Sequence, residues 1–209
     1  MFSFSSIVSI SLLLCLFIFD FIWKIFTQVL LAIHAIHNHK EGKILHRDIK
    51  PSNIFLDKDN NIKLGDFGLS RELSVESKFA YSHVGTPYYM SPEQIDETKY
   101  NEKSDIWSLG CFLYELAALK PPFQARNQIQ LAMRIKEGKV EKINKRYSEE
   151  LWRVIIWMLN TNYEKRPSAE ELLDALTEAV SAMTATAAMI TMINFFMICA
   201  FVGFHIGPS

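Results

Sequence analysis

Three polar side chains close together in the sequence are of the types that take part in phosphoryl transfer. Asp48 lies five residues before Asn53 in the string HRDIKPSN, and Asp66 opens the string DFG further along. Transfer of a γ-phosphoryl group needs an aligned acceptor hydroxyl and metal ions that neutralise the phosphate charge. A carboxylate can orient the hydroxyl, and carboxylate and amide oxygens are ligands of Mg²⁺. The pattern therefore predicts Asp48 as the catalytic base and Asn53 and Asp66 as magnesium ligands.

Longer motifs around these residues limit the reactions that the pattern can indicate. DFG alone occurs by chance, and Asp and Asn are also common in surface turns. Here HRDIKPSN precedes DFG, and GTPYYMSPE and SDIWSLG follow in that order. This is the order of a protein kinase catalytic loop and its metal-binding motif. The sequence therefore predicts phosphoryl transfer with ATP and Mg²⁺ as cofactors.

The segment that carries these strings has the patterns of a mostly helical domain. Apolar residues at helical spacing predict an amphipathic helix over 25–38. NIFL and IKLGDF, separated by DKDNN, indicate two short strands joined by a turn. Residues 69–93 contain Ser, Gly and Pro and show no periodic apolar pattern, which indicates a long loop. Further helices are predicted over 104–118, about 127–137 and 149–159, and a last helix opens with a capping box of Ser168 and Glu171.

Charge is distributed unevenly along the 209 residues. The formal net charge is -1, so the composition gives no reason to expect a nucleic-acid partner. Every Lys and Arg, and every acidic residue except Asp20, falls between Lys24 and Glu178. This distribution predicts a charge-balanced globular domain over 25–176, with apolar segments at 1–24 and 177–209.

Two interpretations of the apolar ends remain open. Residues 2–23 and 179–206 are each long enough to span a bilayer, and Lys24 after the first would leave the kinase region in the cytosol. A membrane is then a partner. The alternative is that both ends are non-native sequence, such as translated intron joined at exon edges, because the family-like pattern stops abruptly at both junctions.

Longer stretches identify a family. HRDIKPSNIFLD, IKLGDFGLSREL, VGTPYYMSPEQ and YNEKSDIWSLGCFLYELAALKPPF closely resemble the NIMA-related serine/threonine kinases (the Nek family), especially the Nek2-like branch. The resemblance implies an α+β, protein kinase-like fold: a mostly helical C-lobe with a small β-hairpin. We expect the N-lobe to be missing, because no Gly precedes Gly42 and no Glu precedes Glu41, whereas an N-lobe needs a Gly-rich loop and a helix Glu.

The family resemblance also implies an activity and a setting. The reaction would be transfer of the ATP γ-phosphate to Ser or Thr of protein substrates, in cell-cycle or microtubule, centrosome or cilium regulation. The location would be cytoplasmic or nuclear and centrosomal. A rival hypothesis is a noncatalytic, kinase-like binding module, which could be tethered to a membrane and would use the peptide-docking surface of the C-lobe.

Residue roles follow from the same resemblance. Lys50 would act beside Asp48 in catalysis, as in serine/threonine rather than tyrosine kinases. Phe55 would form the floor beneath adenine, and Gly65 would be the small residue before the metal-binding Asp66. Phe67 and Gly68 would complete that motif.

Other implied roles concern activation and structure. Arg47 would receive an activation-loop phosphate, with Ser82 as the first choice of phosphorylated residue and Ser77 as the second. Thr86 would bridge Asp48 and Lys50. The structural residues would be Asp105, which braces the turn of His46 and Arg47, and Glu93, which pairs with Arg166.

Three histidines at helical spacing suggest a different site. His34, His37 and His39 could bind a metal ion, but the favoured interpretation is a solvated helix end.

Overall fold

The structure is a computed structural model that describes the backbone of residues 4–65, 87–98 and 100–185, and the side chains of 21–65, 87–98 and 100–179. Several residues named above lie outside the described residues: Asp66, Phe67, Gly68, Ser77, Ser82, Thr86 and the apolar segment 186–206.

Helix α1 spans Phe4–His37. The predicted helix over 25–38 is confirmed, but α1 begins far upstream of residue 25, because residues 4–24 contain no Gly or Pro that would interrupt it. Its buried side chains recur every three or four residues: Ile22, Ile25, Phe26, Val29, Leu30 and Ile33. This spacing presents one apolar face to the core.

A membrane span is one of the two interpretations given above for each apolar end. Among the helices that the described residues form, none combines the length and the hydropathy needed to cross a membrane.

A two-stranded antiparallel sheet follows the catalytic loop. After a 3₁₀ turn at Pro51–Asn53, strand β1 (Ile54–Leu56) pairs with strand β2 (Ile62–Leu64) in the register Ile54 with Leu64 and Leu56 with Ile62. The backbone N–H of Ile62 donates to Oε1 of Gln28 on α1 at 2.7 Å. The predicted hairpin is therefore confirmed, and helix α1 holds it in place.

Five further α-helices and a 3₁₀ helix at Tyr163–Lys165 complete the described domain. The α-helices are α2 (Pro92–Ile95), α3 (Glu102–Ala118), α4 (Gln128–Glu137), α5 (Glu149–Met158) and α6 (Ala169–Ala185). The predicted helices near 104–118, 127–137 and 149–159 are confirmed. The short helix α2 was not predicted and lies at the end of the segment that was interpreted as a loop.

Helix α3 runs through the centre of the core. Twelve of its residues are buried, including Trp107, whose ring stacks on Phe123 at 5.6 Å between centroids. A Cβ added to Gly110 would lie 2.9 Å from Cβ of Met158 on α5, so close packing of α3 on α5 needs glycine at this position. The predicted fold class, α+β with a mostly helical kinase-like lobe and a small hairpin, is confirmed.

The capping box predicted for the last helix is present. The N–H of Ser168 donates to Glu171 at 2.6 Å, and the N–H of Glu171 donates to Oγ of Ser168 at 3.1 Å. Two N–H groups at the start of α6 are thereby satisfied.

Candidate active site

The loop between α1 and β1 brings Asp48, Lys50 and Asn53 together. Nδ2 of Asn53 donates to Oδ2 of Asp48 and also to its backbone carbonyl, both at 2.8 Å. Nζ of Lys50 lies 2.7 Å from the same Oδ2. The side chain of Asp48 is 23% exposed. Among the described residues, both side-chain donors meet Oδ2, so the other oxygen, Oδ1, is left to accept a hydrogen bond from a hydroxyl group.

The orientation of Asn53 suits a hard cation. Its side-chain nitrogen points to Asp48, so the amide oxygen is the atom left for a ligand. The 3₁₀ turn fixes this position: the N–H of Asn53 donates to the carbonyl of Lys50 at 3.0 Å, and the carbonyl of Asn53 accepts from Gly65 at 2.9 Å. This bond places Gly65, the residue before Asp66 in the sequence, beside Asn53.

Asp105, on α3, braces the start of the loop. Its carboxylate is buried and accepts hydrogen bonds from the backbone N–H of His46 and of Arg47, both at 2.9 Å. Arg47 has φ of +70°, a conformation that costs a residue with a side chain about 1–3 kcal/mol. The hydrogen bonds to the buried carboxylate of Asp105 stabilise this turn. The turn then sets the direction of the loop that follows, which begins with Asp48.

Two more side chains hold Asp105, and sequence reasoning missed both. Nε2 of His37 lies 2.8 Å from Oδ2, and the hydroxyl of Tyr100 donates to Oδ1. Burial by itself would raise the pKa of Asp105, but the bonds from His37, Tyr100 and the two backbone N–H groups hold that pKa below its ordinary value. Asp105 therefore stays ionised and accepts all four bonds.

The interpretation of the three histidines is wrong for His37. That side chain is only 7% exposed because it lies on the buried face of α1, one turn after Ile33, and bonds to Asp105. No group of three or more metal-ligating side chains occurs in the described part of the chain.

The Arg47 side chain has a polar atom in need of a partner. Its guanidinium lies over the ring of Tyr100, 5.8 Å from the centroid. Within the described residues, its Nε is buried and has no hydrogen-bond partner. A buried N–H without a partner is costly, and an anion that reached it would remove that cost.

Phe55 and Gly65 lie side by side on the hairpin. A Cβ added to Gly65 would lie 2.7 Å from Cε2 of Phe55, so a larger residue at this position would displace the ring. Phe55 is 55% exposed. The two residues thus form an open apolar shelf next to Asn53.

Glu93 and Arg166 form a buried bidentate ion pair. Nη1 and Nη2 of Arg166 donate to the two carboxylate oxygens at 2.7 and 2.8 Å, and Ser104 donates to Oε1 at 2.7 Å. The guanidinium also lies 5.0 Å above the ring of Trp107. Burial would raise the pKa of Glu93, but the bonds from Arg166 and Ser104 keep it below its ordinary value. The pair ties α2 to the start of α3 and to the turn before α6.

Comparison with known proteins gives the class of this molecule. The family model described as "Protein kinase domain" matches residues 18–176, which include the whole of the site described above. The chain belongs to the protein kinase family.

Individual relatives narrow the assignment. The chain is 55% identical over 154 residues to the probable serine/threonine-protein kinase nek2 of Dictyostelium discoideum, covering 74% of this chain and 37% of that protein. It is 54% identical over 157 residues to the serine/threonine-protein kinase Nek2 of Homo sapiens, with 74% and 35% covered. The G2-specific protein kinase nimA of Emericella nidulans is 42% identical over 179 residues, with 74% and 26% covered. Among protein kinases, it is therefore a NIMA-related kinase of the Nek2 type, and it spans roughly a third of the length of its Nek2 relatives.

Proposed function

We propose that this chain carries the phosphotransfer site of a serine/threonine protein kinase, which moves the γ-phosphate of ATP to Ser or Thr of protein substrates. The observation that carries the proposal is the convergence of Lys50 and Asn53 on a single oxygen of Asp48. It leaves the other carboxylate oxygen for a substrate hydroxyl, as the reaction needs.

Asp48 orients the substrate. Its Oδ1 accepts the hydrogen bond of the substrate hydroxyl and takes the proton as the oxygen attacks phosphorus. Lys50 and Asn53 fix the carboxylate plane through Oδ2, so the hydroxyl is held in one direction. The Lys50 ammonium also brings positive charge to the place where phosphate charge moves between donor and acceptor.

Asn53 and Asp66 would hold Mg²⁺. The amide oxygen of Asn53 is the atom not used in bonding Asp48, and a carboxylate supplies the hard oxygen that Mg²⁺ prefers. When bound, the metal neutralises charge on the phosphates. Phe55 and Gly65 would form one face of the adenine site, because an exposed aromatic ring beside a residue without a side chain offers apolar surface to a planar base.

The cellular setting is proposed from the relatives. The nimA relative is named a G2-specific protein kinase, and the two Nek2 relatives match at 55% and 54% identity. We infer a role in cell-cycle regulation, with Ser/Thr-containing proteins as substrates and a cytoplasmic or centrosomal location.

Replacement of Asn53 tests the metal assignment. The experiment uses a chimaera in which the N-terminal lobe of a NIMA-related kinase precedes Ile25, assayed over a range of Mg²⁺ concentrations. Loss of a metal ligand that also holds Asp48 should lower kcat/KM by at least about tenfold for Asn53→Ala. The Mg²⁺ concentration for half-maximal activity should also rise.

Asn61→Ala, in the hairpin turn, is the matched control and should keep the activity of the unchanged chimaera. An Asn53→Ala variant with the same Mg²⁺ dependence as that control would remove Asn53 from the proposed metal site.

Activation by phosphate at Ser82 is proposed from Arg47. Its buried, unpartnered Nε and its guanidinium would pair with a phosphate, which carries about two negative charges at neutral pH. In the chimaera, Ser82→Ala should therefore reduce kcat by about tenfold or more, because the ordering contact is lost. Mass spectrometry of the active protein checks the modification itself. Full activity with Ser82 unmodified would count against this residue and would direct attention to Ser77.

A further inference from the structure

Helix α4 has an apolar pair that faces away from the core. Leu131 and Ile135 are buried and hold the helix on the domain. Ile129 and Met133 are one turn apart on another side, 77% and 66% exposed. Residues four apart share a helix face, so the two side chains form one outward ridge.

These two side chains add little to folding. Ile is a weaker helix former than Lys, Glu or Ala, and neither side chain gains much burial at this position. A single exposed apolar residue is ordinary on a protein surface. An adjacent pair beside a groove is a feature that marks interaction sites.

A groove runs beside the ridge. It is an open depression of about 460 Å³ lined by Gln124, Ala125, Arg126, Gln130 and Arg134. A guanidinium N–H of Arg134 donates to the carbonyl of Gln124, which holds that side chain against the segment before α4. Arg126 is exposed, and among the described residues it has no carboxylate partner.

Acidic side chains near the groove are already paired. Glu137 and Glu141 line the adjoining depression with Arg134, but their carboxylates bond to Lys139 and to Lys120. The hydrogen bond and charge of Lys120, and then the charge of Arg134, lower the pKa of Glu141. Among the described residues, Arg126 is therefore the arginine of the groove whose charge is most available to a partner, with Arg134 beside it.

The groove and ridge are preformed. Asn127 caps α4 by accepting from the N–H of Gln130 at 2.9 Å, and Gly138 ends the helix in the left-handed conformation. Helix α4 also packs against α2, with Nζ of Lys136 2.6 Å from Asp96. A partner would thus meet a rigid surface next to the segment that carries Glu93, with little ordering cost.

We propose that this surface, formed by Ile129, Met133, Arg126 and Arg134, binds a segment of a protein partner in which an apolar side chain lies within one turn of Asp or Glu. The apolar side chain covers the ridge, and the carboxylates meet the guanidinium groups, which pair well with them. The apolar ridge favours a polypeptide over a nucleic acid, whose backbone would use the arginines alone. The partner's charge follows from complementarity with the arginines of the groove.

Selection from a random library of twelve-residue displayed peptides, with the full 209-residue chain as bait, tests the proposal. Enriched peptides should combine Leu, Ile, Phe or Met with Asp or Glu within four positions. Synthetic fluorescein-labelled copies are then titrated by fluorescence anisotropy. Ile129→Gln, Met133→Gln and Arg126→Glu should each raise Kd by at least about tenfold. The increase in Kd caused by Arg126→Glu should be larger at low salt, because exposed charges are screened at high salt.

Matched controls come from helix α5. Ile156→Gln and Arg153→Glu make the same changes at exposed positions on another surface and should leave Kd unchanged. Ile129 and Met133 are largely exposed, so the melting temperatures of their variants should match that of the unchanged chain. If Ile129→Gln lowers the melting temperature, the Kd of Arg126→Glu is used to test the proposal.

Several outcomes would overturn the proposal. These are enrichment of basic peptides, no enrichment, or selected peptides that bind the α4 variants as tightly as the unchanged chain. Sedimentation could also show that the chain self-associates and that Ile129→Gln abolishes the self-association. The surface would then bind a second copy of the chain, and the proposal would be overturned. None of these readouts needs phosphoryl transfer, so they do not depend on the proposed kinase activity.

Discussion

In the chimaera with a NIMA-related N-terminal lobe before Ile25, Asp48→Ala should lower kcat by at least about a thousandfold. Asp48 holds the substrate hydroxyl through Oδ1, and without the carboxylate neither the alignment nor the proton acceptor remains. Lys50 and Asn53 would also lose their common partner at 2.7 and 2.8 Å. Steady-state phosphorylation of a protein substrate measures the effect, and KM for ATP should change much less than kcat.

Two further variants make this result specific. Asp48→Asn keeps the size of the side chain and can still accept a hydrogen bond, but it cannot take a proton, so it should be nearly as impaired as Asp48→Ala. Asp59→Ala removes an exposed carboxylate from the hairpin turn and should be as active as the unchanged chimaera. Wild-type-like turnover by either Asp48 variant would refute the role of this residue.

Breaking the Glu93 and Arg166 pair should strongly destabilise the domain. Arg166 is 0% and Glu93 4% exposed, so Glu93→Ala leaves a buried guanidinium charge without its counter-ion. The free energy of unfolding should fall by about 3–5 kcal/mol. Urea denaturation of the 209-residue chain, followed by circular dichroism, measures this loss.

The surface pair of Lys142 and Glu149 is the matched control. Its two side chains are 53% and 61% exposed, and Glu149→Ala should cost less than about 1 kcal/mol. The double replacement Glu93→Leu with Arg166→Met should be less destabilising than the sum of the single changes, because it leaves neither charge unpaired. If Glu93→Ala lowered the free energy of unfolding as little as Glu149→Ala does, the result would contradict a structural role for the buried pair.

Local patterns were enough to predict most of the helices. The helices predicted near 127–137 and 149–159 match α4 and α5 closely, because helical periodicity depends on neighbouring residues. Helix α2 was missed because its four residues are too few to show a period. The start of α1 was missed because a continuous apolar run has no 3.6-residue signal.

The site was predictable where its residues share one loop. Asp48, Lys50 and Asn53 lie within six residues, and the structure places them within hydrogen-bond distance. His37 was missed because its partner, Asp105, is 68 residues away in the sequence. Tyr100 is only five residues before Asp105, but no motif in the sequence marks that contact. One signal was present: His37 follows Ile33 by four residues, so both belong to the buried face of α1.

Phosphoamino-acid analysis tests most directly whether residues 25–176 carry the phosphotransfer site of a NIMA-related kinase. The chimaera is incubated with a protein substrate and ATP labelled at the γ-phosphate, with and without Mg²⁺, beside its Asp66→Ala variant. The predicted result is label on Ser and Thr of the substrate that requires Mg²⁺ and disappears in Asp66→Ala. Label on Tyr, label that persists without Asp66, or a folded chimaera that transfers no label would contradict the assignment, and the last of these would favour a noncatalytic binding module.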